Sequence, residues 1–249
     1  MDLDNQIAIV TGGASGMGKA CVEMLSQHGV RVAVWDKEFF ETKYASYSLV
    51  CDVTSEEAIS DALEKTIQQL GTPSICINCA GIAPAQKMIG KDGVMPLGRF
   101  KQVIEVNLIG TFNVMRLVAA AMMQREILAG MDERGVIINT ASIAAYEGQI
   151  GQTAYSASKG GIVSMTLPAA RELAAYGIRV NTIAPGLIAT PLLLNMPSEV
   201  QNALAAQVPF PKRFGKPEEF ASLVMHIIEN SMINGETIRL DGALRMQPR

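Results

Sequence analysis

The sequence contains little histidine and little cysteine, and this limits the metal and disulfide chemistry open to it. Its two histidines, His28 and His226, do not form the spaced pair that a histidine-containing zinc site uses. Four cysteines in 249 residues do not make a disulfide framework. Cys76 and Cys79 form a C-x-x-C pair, which could be a redox pair or half a zinc site. Because the pair closes an apolar strand, we interpret both cysteines as small buried core residues and expect no bound metal.

No block of like charge occurs anywhere, and the formal net charge is only -3. A nucleic-acid-binding protein needs a clustered basic face, so we expect no nucleic-acid partner. No unbroken apolar run reaches the roughly 18–20 residues that span a bilayer. The opening MDLDNQ has neither a basic leader region nor an arginine-rich transit segment. We therefore expect no membrane partner and a cytoplasmic location.

Apolar, β-branched stretches alternate with helical patterns along the whole chain, as in a parallel sheet with crossover helices. The predicted strands are Ile7–Val10, Arg31–Trp35, Ser48–Cys51, Ile75–Asn78, Val136–Thr140, Val180–Ile183 and Thr237–Leu240. The predicted helices lie near Gly16–His28, Ser55–Leu70, Phe100–Leu128, Thr153–Tyr176 and Pro217–Asn230. Thr54 and Glu57 predict a capping box. The fold predicted is α/β, a Rossmann-type doubly wound seven-stranded parallel sheet in a single domain of residues 1–249.

Two connections are too long to be simple links between these elements. One runs from Gly81 to Gly98 and carries lysine, glycine and aspartate, and the other runs from Pro185 to Gly215 and is rich in leucine, methionine and proline. Connections of this length are usually lids or binding loops. We expect residues 81–98 and 185–215 to be substrate loops.

The segment TGGASGMG lies between the first predicted strand and the first predicted helix. Gly12 permits the tight turn, Gly16 lets the main chain approach a pyrophosphate, and Gly18 allows close helix–strand packing. Ser15 and Met17 lie at the helix N-terminus, whose free N–H groups and dipole attract phosphate. The pattern favours a dinucleotide-binding loop, although an ordinary tight turn is the alternative.

Asp36 ends the second predicted strand, close to the ~20-residue offset of a ribose-binding acid. A carboxylate there accepts hydrogen bonds from the ribose hydroxyls and repels a 2′-phosphate. The sequence therefore favours NAD, while Lys37 leaves NADP possible.

Polar and small residues end the next two predicted strands. Asp52 is expected to bind the adenine amino group with Val53 packed on the ring, or else Asp52 only begins the turn at Thr54. Small residues after the fourth strand would let the main chain pass under the cofactor, unless they form a plain loop exit. They are Cys79, Ala80 and Gly81.

Ser142 follows the apolar stretch VIINTA, and YSASK from Tyr155 to Lys159 begins a long helix. Residues i and i+4 share a helix face, so Tyr155 and Lys159 are neighbours. A phenol of pKa about 10 is a poor base at neutral pH. A nearby ammonium and an oxidised nicotinamide ring would lower that pKa, and Ser142 could orient a substrate oxygen. Taken alone, Y-x-x-x-K also fits a tyrosine packed on a lysine stem.

These motifs together resemble the short-chain dehydrogenase/reductase family over essentially the whole chain. TGGASGMG, DV, NCAG, Asn107 in EVNLIGTFNV, Ser142, YSASK and Pro185-Gly186 occur in the family's order. Cys79 is a departure, because most members carry a second asparagine there.

The resemblance implies further roles. Asn107 would bend its helix and hold a water that links Lys159 to solvent; without the resemblance it is a satisfied core polar residue. Tyr155 and Lys159 would also contact the cofactor, and Gln152 would join Ser142 and Tyr155 on the substrate side. Thr190 would bond the nicotinamide carboxamide. The residues implied to flank the nicotinamide are Pro185, Gly186, Ile188 and Thr190.

A narrower resemblance, to the 3-hydroxyacyl-CoA dehydrogenases of this family, is carried by GTFNVMRLVA, ASIAAYEGQIGQTAYSASKGGIVSMTLPAARELA, QVPFPKRFGKPEEF and NGETIRLDGALRMQP. The Gly81–Gly98 loop also resembles the extra loop of that group. The activity implied is hydride transfer between NAD and the 3-hydroxyl or 3-oxo group of a short or branched acyl-CoA, in fatty acid metabolism. Another apolar secondary alcohol such as a hydroxysteroid, a 3-oxoacyl carrier protein, and a non-catalytic scaffold remain alternatives.

The assembly implied by the resemblance is a homotetramer. The two long helices have more apolar positions than one sheet face can cover. The candidates for the surplus are Met115, Met122, Met123 and Met165, and ordinary core packing is the alternative for several of them.

Overall fold

The computed structural model describes residues 1, 3–91, 93–126 and 133–248. Within these residues, a parallel sheet of seven strands runs in the order β3-β2-β1-β4-β7-β8-β9. Its strands are β1 (Ile7–Thr11), β2 (Arg31–Asp36), β3 (Tyr47–Val50), β4 (Ile75–Asn78), β7 (Gly135–Thr140), β8 (Ile178–Pro185) and β9 (Thr237–Leu240). All seven predicted strands and the doubly wound α/β fold are confirmed.

Helices pack on both faces of this sheet or lie in the connections between its strands. They are α1 (Gly16–Gln27), α2 (Glu56–Leu70), α3 (Leu97–Ile104), α4 (Gly110–Met122), α5 (Thr153–Ala174), α6 (Pro191–Leu194), α7 (Ser198–Ala206) and α8 (Pro217–Glu229). Side chains alternate between faces along a strand. Thus Ala8 and Val10 pack with α1 and α8, whereas Ile9 packs with α2 and α4.

Strand order reverses between β1 and β4, which are hydrogen-bonded neighbours. The register sets Thr11 beside Trp35 on β2 and beside Asn78 on β4, and sets Asn78 beside Asn139 on β7. The carboxyl ends of four strands therefore meet at one edge. In an open α/β sheet a ligand crevice forms outside such an edge, at the reversal point.

The long helix predicted from Phe100 to Leu128 is divided in the structure. It starts at Leu97 as α3, passes through a π-helical turn at Glu105–Ile109, and continues as α4 to Met122. Leu128 lies outside the described residues. The sequence pattern did not predict this division, because a π-helical turn is a single turn inside an otherwise continuous helix and the stretch stays apolar on both sides of it.

The helical stretch Leu97–Met122 has the length and mean hydropathy to cross a membrane, although charged residues interrupt its apolar run. Half of its most apolar window is buried inside the protein. Val114, Val118 and Met122 pack against the sheet. Core packing therefore accounts for its apolar character.

The predicted capping box at Thr54 and Glu57 is wrong. Ser55 is the N-cap of α2, and its hydroxyl accepts a hydrogen bond from the Ala58 N–H at 3.1 Å. The Thr54 hydroxyl instead donates to Asp52 at 2.8 Å. A carboxylate two residues upstream competes for the threonine, and the neighbouring serine caps the helix.

The four methionines that were candidates for exposed apolar positions on the long helices are not exposed. Met115 and Met122 are buried in the core, and Met123 and Met165 are partly buried against the same cluster. The exposed large apolar side chains on the long helices include Ile109, Phe112 and Leu167.

The connection from 81 to 98 contains a small antiparallel hairpin, β5 (Ile89–Gly90) and β6 (Gly93–Val94). The connection from 185 to 215 contains α6 and α7. We call residues 187–215 the lid segment.

Candidate active site

The glycine loop is tightly packed beneath the crevice. Gly12 has φ +64°, and a Cβ on it would come within 2.9 Å of the main chain of Cys79 and Ala80. A Cβ on Gly18 would overlap the Gly12 carbonyl. Ser15 is the N-cap residue of α1, and Met17 lies in the first turn of that helix. The N-terminus of α1 thus points into a glycine-lined crevice, as a pyrophosphate site requires.

This crevice has a volume of about 400 Å³ and is lined partly by Ala14, Ser15, Gly16 and Pro191. A Cβ on Gly16 would lie 3.1 Å from Thr190 Cγ2, so the lid segment adjoins the glycine loop. The residues present fit a dinucleotide, because the N-terminus of α1 borders this pocket at Ser15 and Gly16, where main-chain N–H groups and the absence of a side chain suit a phosphate.

Asp36 faces the glycine loop from the end of β2. Its Oδ2 accepts a hydrogen bond from the Ala14 N–H at 3.1 Å. Asp52 is exposed and accepts bonds from the Thr54 N–H at 2.9 Å and from the Thr54 hydroxyl. Val53 is buried against Gly110. Asp52 therefore performs the turn function that was its alternative interpretation, and the adenine contact stays a prediction.

The small residues after β4 lie between the glycine loop and the catalytic candidates. The Ala80 N–H donates to Thr11 Oγ1 at 3.3 Å. A Cβ on Gly81 would lie 3.2 Å from Asn107 Oδ1 and 3.7 Å from Lys159 Nζ. Glycine at position 81 therefore lets the main chain pass close to both side chains.

The cysteines are free, and Cys76 is fully buried. Burial raises the pKa of the Cys76 thiol to about 12, so it stays protonated. Cys79 lies 3.5 Å from Thr140 Oγ1. Hydrogen bonding from Cys21, then from Thr140, lowers the pKa of Cys79 against the opposing effect of burial. The C-x-x-C pair is therefore two unlike thiols, of which Cys76 is a core residue.

Asn107 lies in the π-turn and is fully buried. Its Oδ1 accepts from the Ile82 N–H and its Nδ2 donates to the Ile82 carbonyl, both at 2.8 Å. Nδ2 also donates to Ser158 Oγ at 3.1 Å. Asn107 thus sits at a helix distortion and is satisfied by protein groups, so each interpretation describes part of what it does. The water link to Lys159 stays a prediction.

Ser142, Tyr155 and Lys159 come together between the end of β7 and the start of α5. The Ser142 hydroxyl accepts a hydrogen bond from the Ala144 N–H at 3.1 Å and lies close enough to Tyr155 to lower the pKa of that phenol in part. Lys159 Nζ donates to the Thr140 carbonyl at 2.7 Å and lies 5.8 Å from the centre of the Tyr155 ring. The structure therefore brings the three predicted catalytic side chains into one cluster.

The pKa directions correct the sequence-based expectation for the tyrosine. Burial raises the pKa of Tyr155, and the Ser142 hydrogen bond only partly opposes this. Burial also lowers the pKa of Lys159 to about 8. The sequence predicted that Lys159 would lower the pKa of Tyr155. The spacing of the residues could not show that both groups are buried, and burial disfavours both charged forms.

The remaining predicted residues border the same edge. Gln152 precedes α5, and its Oε1 accepts from the Gln149 N–H at 3.0 Å. Pro185 ends β8, and the Gly186 N–H donates to the Leu240 carbonyl at 2.9 Å. Ile188 is buried and pairs with Gly215 across the base of the lid segment.

Sequence reasoning missed Ser158. Its hydroxyl donates to the Tyr155 carbonyl at 2.7 Å and accepts from Asn107, so it joins two predicted catalytic residues. A signal was available, because Ser158 lies three residues after Tyr155 on the same helix face.

Comparison with known proteins agrees with this geometry. The family model described as enoyl-(acyl carrier protein) reductase matches residues 12–244. The 3-hydroxyacyl-CoA dehydrogenase type-2 of Bos taurus is 55% identical, covering 97% of this chain and 96% of that protein. The 3-oxoacyl-[acyl-carrier-protein] reductase of Thermotoga maritima is 34% identical over 98% of this chain and 99% of its own. The crystal structure of 3-hydroxyacyl-CoA dehydrogenase type-2 from Mycobacterium avium superposes with TM-score 0.90 at 41% identity, covering 98% of both chains.

Proposed function

The chain belongs to the short-chain dehydrogenase/reductase family, and from this premise we propose that it oxidises (S)-3-hydroxyacyl-CoA thioesters with NAD. It is a dehydrogenase acting on a CH–OH group. The observation that carries the reaction type is the cluster of Ser142, Tyr155 and Lys159 at the crevice edge. Relatives named for 3-hydroxyacyl-CoA dehydrogenase support the substrate class.

When bound, the nicotinamide supplies the hydride acceptor and, in its oxidised form, a positive ring charge. The glycine loop, Asp36 and Thr190 would hold the dinucleotide along the crevice. Ser142 would donate a hydrogen bond to the substrate oxygen and orient it. Tyr155 would accept the substrate hydroxyl proton as general base, and the Lys159 ammonium would favour the phenolate. In the reverse direction, a tyrosine with a raised pKa is suited to return that proton.

Cofactor choice depends on Asp36, whose carboxylate faces the glycine loop. We expect a clear preference for NAD over NADP in kcat/KM. Asp36→Ala should narrow the gap mainly by weakening NAD binding, because it removes both the ribose acceptor and the repulsion of a 2′-phosphate. Steady-state kinetics with both cofactors measures this, and Asp61→Ala on the outer surface of α2 is the control. A wild-type enzyme with the better kcat/KM for NADP would contradict the assignment.

The choice of an acyl-CoA over a steroid is supported by the hairpin segment, residues 87–101. Its first residue follows Gln86, whose N–H donates a hydrogen bond to the Gly151 carbonyl at 2.8 Å, so the base of the segment lies beside the candidate active site. Its exposed cations are Lys87, Lys91, Arg99 and Lys101. Its exposed apolar side chains are Met88, Ile89, Val94 and Leu97. A basic and apolar surface beside the site suits the phosphate-bearing coenzyme A part of an acyl-CoA substrate, whereas a steroid carries no phosphate.

The double variant Lys87→Glu/Lys91→Glu should raise KM for the acyl-CoA about tenfold while leaving kcat unchanged, since it alters binding remote from the reacting atoms. An N-acetylcysteamine thioester of the same acyl group lacks the phosphates, so its KM should not change. Lys65→Glu, a charge reversal on α2, is the control. Equal effects on both thioesters would show that the hairpin does not recognise phosphate.

The proposal is tested directly by NADH formation from NAD and 3-hydroxybutyryl-CoA, beside a hydroxysteroid panel and a 3-hydroxyacyl carrier protein. We expect the highest kcat/KM with the acyl-CoA. A higher value with the steroid or the carrier protein would favour that alternative, and turnover of none of them would favour a non-catalytic scaffold.

We further propose a homotetramer in the cytoplasm. The exposed Ile109, Phe112 and Leu167 on the long helices favour self-association, and four free cysteines suit a reducing compartment. Light scattering at micromolar concentration should give four times the monomer mass. Phe112→Glu should lower that mass, and a monomeric wild-type protein would contradict the assembly.

A further inference from the structure

Arg239, on β9, joins several segments around the site through one guanidinium group. Its NH1 and NH2 donate to the two carboxylate oxygens of Glu147, each at 2.8 Å. Its Nε donates to Asp241 at 2.7 Å, and NH2 also donates to the Leu244 carbonyl at 3.0 Å. The guanidinium carbon lies 5.1 Å from the centre of the Tyr146 ring. Four of the five N–H groups of the guanidinium thus donate hydrogen bonds.

The Glu147 side of this network leads to the catalytic residues. Ser142 begins a short 3₁₀ turn, Ile143–Ala145, and the Glu147 N–H donates to the Ile143 carbonyl at 3.0 Å. We call residues 142–152 the catalytic segment, because it runs from Ser142 to the residue before α5, which carries Tyr155. A shift of Glu147 would therefore be transmitted to both ends of the segment.

The Asp241 side leads to the lid segment and to the residues proposed to flank the nicotinamide. A Cβ on Gly186 would lie 2.8 Å from Asp241 Cβ, so the two chains are in close contact. The Phe210 N–H of the lid segment donates to the Gly242 carbonyl at 3.4 Å. Arg239 therefore links the catalytic segment to the base of the lid.

The C-terminal residues 244–248, which we call the tail, also contact the catalytic segment. The Ile150 N–H donates to the Pro248 carbonyl at 3.0 Å, and Gln149 Nε2 donates to the Gln247 carbonyl at 3.1 Å. Ile143, Val208 and Leu244 form a small buried cluster that unites the catalytic segment, the lid and the tail. The tail thus closes on the catalytic segment of its own chain.

The network is partly withdrawn from water, with side-chain exposures of 21% for Arg239, 26% for Glu147 and 7% for Asp241. Bidentate arginine–carboxylate pairs are strong and directional, and a single exposed ion pair contributes little. The hydrogen bonds from Arg239 hold the pKa of Glu147 below its usual range. The fork geometry is specific to arginine, since lysine presents a single point charge.

We propose that Arg239 is a positioning residue: it sets the catalytic segment against the lid and tail, and so fixes Ser142 and Tyr155 relative to the substrate. This inference rests on the proposed dehydrogenase function. It assigns Arg239 no contact with substrate or cofactor.

Arg239→Met keeps an unbranched apolar stem and removes the guanidinium fork. We expect kcat to fall about 10- to 100-fold, with NADH affinity within threefold of wild type, because the glycine loop lies on other strands. Arg239→Lys should recover part of the loss. Glu147→Gln/Arg239→Met should be no worse than Arg239→Met alone, since the pair acts as a unit. The control is Lys65→Met, which breaks an ion pair with Asp61 on α2, away from the catalytic segment and the lid.

Hydrogen exchange provides a readout that does not depend on activity. In Arg239→Met, amides of 143–152 and 244–248 should exchange faster, while those of β1 and β4 keep their protection. Unchanged exchange in the catalytic segment would overturn the proposal even if the enzyme used a different alcohol. A kcat loss explained entirely by a smaller fraction of enzyme that binds NADH, or one that Lys65→Met reproduced, would also overturn it. Absence of wild-type turnover with the acyl-CoA would contradict the substrate proposal alone, and kcat would then be compared with the alcohol that is turned over.

Discussion

Tyr155→Phe is expected to lower kcat by about 10²–10⁴-fold, the usual contribution of general acid–base catalysis. The substitution keeps the aromatic ring and its packing but deletes the atom that accepts the substrate proton. Ser142 and Lys159 remain beside the ring, so substrate orientation is preserved and proton transfer is lost. NADH affinity should change little.

The control is Tyr146→Phe, which deletes a hydroxyl from the same catalytic segment. Tyr146 is half exposed and contacts Arg239 through its ring face, which phenylalanine retains. We expect near wild-type turnover. A Tyr155→Phe enzyme that kept more than about a tenth of wild-type kcat would require another general base.

Lys159→Met is expected to produce a second large loss, about 10²-fold or more in kcat at neutral pH. Burial already raises the pKa of Tyr155, and removing the neighbouring ammonium leaves the phenolate still less favourable. The rise of alcohol oxidation with pH should therefore move to higher pH in the variant. A pH–rate profile measures the shift. An unshifted profile would show that the lysine charge does not act on the tyrosine.

The same substitution should stabilise the folded protein while inactivating it. Burial lowers the pKa of Lys159 to about 8 from 10.5, so the charged form is disfavoured on folding. The penalty at pH 7 is of order 3 kcal/mol at about 1.4 kcal/mol per pKa unit. Loss of the hydrogen bond to the Thr140 carbonyl offsets part of it, so we expect a net gain of about 1–2 kcal/mol.

The pH dependence of this gain has a definite sign. Between about pH 8 and 10.5 the unfolded chain binds more protons at Lys159 than the folded one, so wild-type stability contributed by this group rises with pH. The advantage of Lys159→Met should therefore shrink across that range. Urea unfolding of both proteins at pH 7 and pH 10.5 tests this. A stability difference that is the same at both pH values would contradict the buried-charge interpretation.

The order of elements and the identity of the crevice could be predicted from the sequence because their signals are local. A strand shows itself by its apolar pattern, and the glycine loop by residues that only a close main-chain approach requires. Gly12 illustrates this, since its positive φ favours glycine locally, and its close contact with Ala80 adds a second requirement for glycine that only the fold shows. The spacing of Tyr155 and Lys159 likewise reports their shared helix face directly.

Effects of burial and competition between neighbours could not be predicted in this way. The pKa of Tyr155 moves opposite to the expected direction, because its environment is made by segments distant in sequence. The cap of α2 falls on Ser55 because Asp52 takes the Thr54 hydroxyl, a competition that a three-residue motif does not describe.

The sequence by itself determined the sheet, through its apolar periodicity, and it predicted the glycine loop and the catalytic candidates Ser142, Tyr155 and Lys159 through the combination of short motifs and the family resemblance they carry. Only the tertiary structure decided that Asn107 holds the Ile82 main chain, 25 residues away. It also decided that Arg239 pairs with Glu147, 92 residues away. Hydrogen bonds and desolvation act over a few ångströms. Which residues distant in sequence come that close to one another is decided when the sheet and its helices pack together.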